Sequence, residues 1–210
     1  MAAYADGLNP STAIPEMELV AQITPAADVR FIFIVKKQTS FKRLVHMQIN
    51  KDPRLGPCII LCGRGTPDLS TRQLANRLST HEELVKRGVS TYIISDANPY
   101  GYSITFCYKY GSWALQFYEG LTSRNAIRIG VTPMDWNEFN VHVSQIQPMD
   151  EEDYHKLKFL LDDNQISDSE RSELEVFKEG QKSDLGIIFT SLDVQIAGNP
   201  QDTREKVNLE

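Results

Sequence analysis

The stretch Phe31-Ile32-Phe33-Ile34-Val35 is a continuous run of aromatic and β-branched residues, which is typical of a strand buried on both faces of a sheet. A second apolar run covers Cys58–Cys62, and a third covers residues 89–95. Thr39 or Ser40 is placed to cap a helix between the first two runs. This alternation of strands and helices predicts an α/β fold with a parallel sheet.

The pattern continues along the chain. Asp68 or Ser70 is expected to cap a second helix, which runs to a stop at Gly88. A further helix is predicted over residues 102–110, and a fourth strand over residues 126–131.

The chain divides into three parts by composition. Residues 1–29 are rich in Pro, Ala and Asp without periodicity, and we predict a flexible lead-in. Residues 30–194 form the folded domain, with a helical C-terminal extension that contains a Ser-x-x-Glu capping box at Ser167. Residues 195–210 are polar, and we predict a disordered tail.

Composition limits the function. The 210 residues contain 22 Lys and Arg against 28 Asp and Glu, a net charge of -6 that argues against broad binding of polyanions but allows a local basic face. No apolar run approaches the ~20 residues of a membrane helix, so we expect no membrane partner. The three cysteines, an odd number, argue against a disulfide framework, and neither they nor the four histidines have the spacing of a metal site.

The candidate functional residues lie at the ends of three predicted strands. In a parallel sheet ligands bind at the carboxyl ends of the strands, and these ends are Lys36-Lys37, Gly63 to Asp68, and Asp96 to Gly101. Taken singly, Asp96 could be a helix cap and Arg64 a solvated turn residue. Gly63-x-Gly65 also lacks the third glycine of the dinucleotide fingerprint.

Together, five segments in order resemble the Toprim domain of the topoisomerase VI A subunit, the family that includes the meiotic double-strand-break protein. They lie over roughly residues 31–192. The meiotic branch is the better match because of its D-L-x-T-R and Y-K-Y-G-S motifs. The segments are Val35 to Leu44 (VKKQTSFKRL), Gly63 to Arg72 (GRGTPDLSTR), Asp96 to Gly101 (DANPYG), Tyr108 to Ser112 (YKYGS) and Arg128 to Asp135 (RIGVTPMD). The resemblance implies a Toprim-type, Rossmann-like sheet with flanking helices.

The family holds Mg²⁺ with a Glu at the first strand end and two Asp at the third. Here those positions are Lys36, Asp96 and Asn98, so three negative charges become a charge sum of zero. Mg²⁺ requires several hard oxygen ligands. An ammonium ~5 Å from a divalent ion is repelled by about 7 kcal/mol at an effective dielectric of 20. The resemblance therefore implies a Mg²⁺ site at Asp96 and Asn98, and the charges predict that it is weak.

The family cleaves DNA with a tyrosine of an N-terminal winged-helix domain. About thirty residues precede the first strand, too few for such a domain, and Tyr100, Tyr102, Tyr108 and Tyr110 all lie inside Toprim motifs. We expect no catalytic residue in this chain and no DNA cleavage by it alone.

The remaining candidates are cations. Lys36, Arg64, Arg72 and Lys109 are the candidate DNA contacts, since such residues bind phosphates without reading sequence. A salt bridge to an edge carboxylate is the alternative for Arg72. If the Lys36 ammonium reaches Asp96, it supplies fixed positive charge where the family uses a metal.

Three functions remain open: a non-catalytic DNA-associated module, an active half-enzyme completed by another chain, and a protein-interaction scaffold. The partners that the resemblance implies are DNA, a second copy of the chain and a topoisomerase VI B-like subunit. It also implies a nuclear, chromosomal location.

Overall fold

The computed structural model describes residues 14–187. Its centre is a four-stranded, fully parallel sheet in the order β2-β1-β3-β4. The strands are β1 (Phe31–Val35), β2 (Cys58–Cys62), β3 (Ser90–Ile94) and β4 (Ile127–Gly130). The predicted α/β fold with a parallel sheet is confirmed.

Seven α-helices accompany the sheet in this part of the chain. They are α1 (Gln38–His46), α2 (Leu69–Ser79), α3 (Glu82–Lys86), α4 (Pro99–Lys109), α5 (Asp135–Glu138), α6 (Glu151–Leu161) and α7 (Asp168–Glu175). Two short strands, β5 (Gln147–Pro148) and β6 (Gln181–Lys182), pair antiparallel beside α6 and α7. None of these helices is long and apolar enough to cross a membrane.

The strand residues form two apolar cores because successive side chains point to opposite faces. Ile32, Ile34 and Ile93 belong to one core, which includes residues of α2 and α4. Phe33 and Val35 belong to the other, which extends to Phe177 and the C-terminal helices. The alternation explains why β1 is apolar at every position.

Helix boundaries agree with the sequence where a side-chain cap is visible. Asp68 accepts a hydrogen bond from the Thr71 amide and begins α2. Ser167 and Glu170 form the expected capping box of α7. The prediction for α1 is wrong: its N-cap is Lys37, whose backbone is extended, and neither Thr39 nor Ser40 caps it.

The second predicted helix is two helices. α2 ends at Ser79 and α3 begins at Glu82, because Thr80 and His81 leave helical geometry between them. The stop at Gly88 is confirmed by its positive φ of 70°.

The predicted lead-in differs from the structure from residue 14 onward. The Met17 side chain is buried, the Arg77 guanidinium donates to the Val20 carbonyl, and a ring nitrogen of His81 contacts the Ile23 carbonyl. Residues 14–29 thus pack on α2 and α3. Residues 1–13 and the predicted disordered tail lie outside the described residues.

Candidate functional site

The carboxyl edge of the sheet brings Lys36 and Asp96 together. Val35 pairs with both Cys62 and Ile94, so the residues that follow β1 and β3 leave the sheet side by side. The Lys36 Nζ lies 2.6 Å from the Asp96 Oδ2, and these side chains are 15% and 5% exposed. Lys36 therefore does reach Asp96, and their charges cancel in a largely buried contact.

The second oxygen of Asp96 is also occupied. The Leu185 backbone N–H donates to the Asp96 Oδ1 over 2.7 Å. Leu185 belongs to a segment that we name the C-terminal strap, residues 183–187. The strap is fixed by the Ser183 N–H, which donates to the Ala97 carbonyl, and by the Trp136 indole, which donates to the Ser183 hydroxyl.

Asn98 lies near this pair but has a structural role. Its side-chain oxygen accepts a hydrogen bond of 2.8 Å from the Gly101 N–H, which caps α4. Gly101 is required here because a Cβ atom would collide with the Asp96 backbone. The D-x-N-P-x-G segment thus turns β3 tightly into α4.

These residues do not fit a Mg²⁺ ion. The single carboxylate is shared by an ammonium and a backbone N–H, and the Asn98 oxygen is used by the helix cap. Within residues 14–187 no group of three His, Cys, Asp or Glu side chains is arranged to hold a metal. The hard oxygen ligands that Mg²⁺ needs are missing from this edge of the described chain.

Arg128 supports the same edge and was not singled out by its sequence pattern. Its guanidinium, only 6% exposed, donates to the Asp96 carbonyl and the Tyr102 hydroxyl and stacks 3.8 Å from the centre of the Tyr102 ring. Burial lowers the pKa of Arg128, against the attraction of Tyr102 and Glu173. A charged residue between two isoleucines on an edge strand would be expected to point to solvent, so nothing local indicated this role.

Arg64 is exposed on the turn after β2. Its φ of 54° places it in the left-handed region, and no carboxylate within residues 14–187 pairs with it. Gly63 precedes it because a Cβ atom there would lie 2.5 Å from the Tyr108 hydroxyl. The turn thus presents the Arg64 cation to solvent.

Two of the predicted DNA contacts are placed elsewhere. Arg72 is 1% exposed, and its guanidinium donates to the Leu121 carbonyl and the Ser112 hydroxyl, so a phosphate at the surface is out of its reach. The salt bridge considered for Arg72 is replaced by these two hydrogen bonds. Arg72 is a buried donor because the loop after α4 folds back over α2.

Lys109 ends α4, while Asp96 precedes its start. The ten steps between successive residues of α4, at 1.5 Å each, separate its two ends by about 15 Å. The Lys109 Nζ pairs with Glu170 of α7 at 2.5 Å, and both side chains are largely buried. Lys109, named above as a candidate DNA contact, therefore lies away from this edge, since the helix that follows a strand carries its last residues away from that strand's end.

Two of the motif tyrosines, Tyr102 and Tyr108, serve packing. Tyr102 and Tyr108 are each 1% exposed, and burial raises the pKa of both phenols. Deprotonation, which a nucleophilic phenol needs, is thereby made harder. Tyr108 and Tyr110 lie on different faces of the α4 end, because Tyr110 turns to Glu170 instead.

Comparison with known proteins agrees with the motifs. The family model for the Toprim domain of Spo11 and the topoisomerase 6 A subunit matches residues 31–193. Meiotic recombination protein SPO11 of Homo sapiens is 35% identical over 137 residues, which are 64% of this chain and 32% of that protein. SPO11-1 of Arabidopsis thaliana is 29% identical over 153 residues, or 72% of this chain and 40% of that protein.

The chain thus spans roughly a third of the length of these relatives. The matched region contains the whole parallel sheet, the Lys36–Asp96 edge and the C-terminal strap. This chain belongs to the family of Spo11 and the topoisomerase 6 A subunit, and it contains the Toprim domain of that family.

Proposed function

We propose that this chain is a DNA-associated Toprim domain of the meiotic double-strand-break machinery, that it works at chromosomes in the nucleus, and that it does not cleave DNA by itself. Its relatives carry the name meiotic recombination protein, which supports the process. The observation that carries the proposal is the 2.6 Å contact of the Lys36 ammonium with the Asp96 carboxylate. In this proposal the ammonium takes the place of the metal that the family resemblance implies.

The physical consequence is binding of DNA without Mg²⁺. Lys36 neutralises Asp96, so a phosphate that approaches this edge meets no net negative charge from the pair. Arg64 adds an exposed cation on the neighbouring strand end. Contacts of this kind attract the DNA backbone and position it, without preference for sequence.

The test compares DNA binding in EDTA and in Mg²⁺ at matched ionic strength. A fluorescent 30-base-pair duplex and the purified chain should give equal affinities, each falling with salt. Binding that requires Mg²⁺ would refute the proposal and favour the active half-enzyme. Supercoiled plasmid incubated with the chain and Mg²⁺ should stay intact, and nicking that a tyrosine substitution removes would contradict the lack of cleavage.

A second test restores the family's charges. Lys36→Glu with Asn98→Asp changes the charge sum of the site from zero to -3, so calorimetry should show Mg²⁺ binding that the unmodified chain lacks. Lys37→Glu with Gln38→Asp is a matched control at neighbouring positions. Tight Mg²⁺ binding by the unmodified chain would overturn the role proposed for Lys36.

A second candidate function is contact with another protein chain. The loop after α4 exposes three aromatic side chains, with Trp113 86%, Phe117 90% and Tyr118 56% accessible. The partners that the family suggests are a second copy of the chain and a topoisomerase VI B-like subunit. Sedimentation of the full chain over a range of concentrations tests the first: a dimer that Phe117→Ser dissociates would support it, and a monomer throughout would exclude it.

A further inference from the structure

The segment from the end of β1 to the turn after β2, residues 36–64, carries an unbalanced charge. Residues 36–64 contain seven Lys and Arg against one Asp, a net charge of +6 on a chain whose total is -6. The single acid, Asp52, is held by the Arg54 guanidinium, which together with the Arg54 backbone lowers its pKa to about 2. Asp52 is thus ionised and already counted in the sum, and the seven Lys and Arg leave the segment with a net charge of +6 near pH 7.

Lys42 and His46 lie on the outer face of α1. Ser40 and Leu44 are buried, whereas Gln38, Lys42 and His46 are exposed. These three are spaced by four residues, so they form one row along the helix. Lys42 has no carboxylate partner within residues 14–187, and α1 itself contains no acidic residue.

Further basic residues flank α1 at both ends. Lys37, 41% exposed and paired with Asp184 of the strap, precedes α1. Arg64 follows β2, which pairs directly with β1 and lies against α1. Lys51 is exposed at the other end of the helix. We name Arg64, Lys37, Lys42, His46 and Lys51 the basic face.

We propose that the basic face is the surface on which this chain holds the backbone of duplex DNA, with Lys42 as its central contact. The inference rests on the proposed function, because it assigns the surface for that DNA binding. From Gln38 to His46, α1 is about 12 Å long at 1.5 Å per residue. One strand of B-DNA has a phosphate every 3.4 Å along the axis, so the row matches the span of three or four phosphates.

The dimensions favour backbone contact over reading of bases. Lys42 stands on a helix whose inner face is packed on the sheet, and a long cation on such a face reaches phosphates first. Each phosphate neutralised contributes about 0.9 to the slope of log K against log salt. Removal of Lys42 should therefore lower that slope by about 0.9.

The experiment compares two charge reversals of equal size. Lys42→Glu lies on the basic face, and Lys158→Glu is an exposed position of α6 in the acidic part of the chain. Both change the net charge by -2, so a difference between them reports position. Duplex affinity is measured in EDTA from 25 to 200 mM NaCl, and circular dichroism checks that each variant is folded.

The expected result is a loss of at least about tenfold at 0.1 M salt for Lys42→Glu, with a smaller salt slope, and little change for Lys158→Glu. Lys42→Ala should lose less than Lys42→Glu in the same direction. If the unmodified chain binds and both reversals weaken it equally, or neither does, the basic face is wrong while the proposed function stands. If the unmodified chain binds at no salt concentration, the proposed function itself fails.

Discussion

The two ends of the domain use charge in opposite ways. Residues 150–187, with α6 and α7, contain twelve acidic and five basic residues. Residues 36–64 contain one acidic and seven basic residues. In the acidic region several cations are held in ion pairs: Lys182 pairs with Asp150 and Asp153, and Lys178 pairs with Glu175. Glu170 also pairs with Lys109 of α4. In the basic region Lys42 and Arg64 have no carboxylate partner among the described residues.

The difference separates charge that holds the fold from charge that is open to a ligand. The acidic residues cap helices and tie α7 to α4 through largely buried pairs. Substitutions in that region should therefore lower the free energy of unfolding, whereas substitutions on the basic face should lower the affinity for DNA. Lys36 with Asp96 lies between the two classes, since it is buried and also at the sheet edge.

The largest effect on stability is expected at Asp96. Asp96→Ala removes the partner of the partly buried Lys36 ammonium and the acceptor of the Leu185 N–H. Breaking a buried pair on one side costs about 3–5 kcal/mol of the free energy of unfolding. Urea denaturation measures the loss, and Asp184→Ala is the control, because its pair with Lys37 is exposed and contributes less than about 1 kcal/mol. Equal losses for both variants would contradict the buried role of Asp96.

Glu170→Gln should have the next largest effect, about 1–3 kcal/mol, since Glu170 accepts from Lys109, the Tyr110 hydroxyl and the Ser167 cap. Burial by itself would raise the pKa of Glu170, but these hydrogen bonds outweigh it and lower the pKa below its usual value. A carboxylate with a lowered folded pKa stabilises above its unfolded pKa, and that stability is lost as pH falls through the folded value.

The pH profile checks this assignment. Urea denaturation of the unmodified chain from pH 6 to pH 3 should show a decreasing free energy of unfolding. The free energy of unfolding of the Glu170→Gln variant should be lower at pH 6 and should decrease less steeply with falling pH, because glutamine does not titrate. Parallel profiles for the two proteins would show that Glu170 is not stabilised as the carboxylate.

Local patterns predicted the part of this structure that local forces determine. The β1 and β2 runs, the Asp68 cap and the Ser167 capping box depend on residues within a few positions, and each was identified. The burial of Arg72, the pairing of Lys109 and the Leu185 contact to Asp96 join residues 49, 61 and 89 positions apart. No short pattern encodes such distances, so these parts of the site required the structure.

A smaller effect is expected at Asn98, and it tests whether the side-chain oxygen of this residue caps α4 or is available as a metal ligand. Asn98→Ala should cost about 1 kcal/mol, since the Gly101 N–H loses its acceptor, whereas Asn98→Asp should be within about 0.5 kcal/mol of the unmodified chain. Both are measured by urea denaturation. An equal loss in both variants would mean that the amide nitrogen, and not the capping oxygen, matters at this position.

The smallest stability effect is expected at Arg64, and it separates the two uses of charge most directly. Its φ of 54° is unfavourable for a residue with a Cβ atom and suits glycine. Glycine also loses more backbone entropy on folding, about 0.5–1 kcal/mol, so the two terms oppose each other in Arg64→Gly. The free energy of unfolding should then change by less than about 0.5 kcal/mol, while the salt slope of DNA binding falls by about 0.9.

Arg77→Gly is the contrasting variant, because Arg77 lies in the interior of α2 and donates to the Val20 carbonyl, so stability should fall by at least about 1 kcal/mol. A large loss of stability in Arg64→Gly would place this cation with the residues that hold the fold.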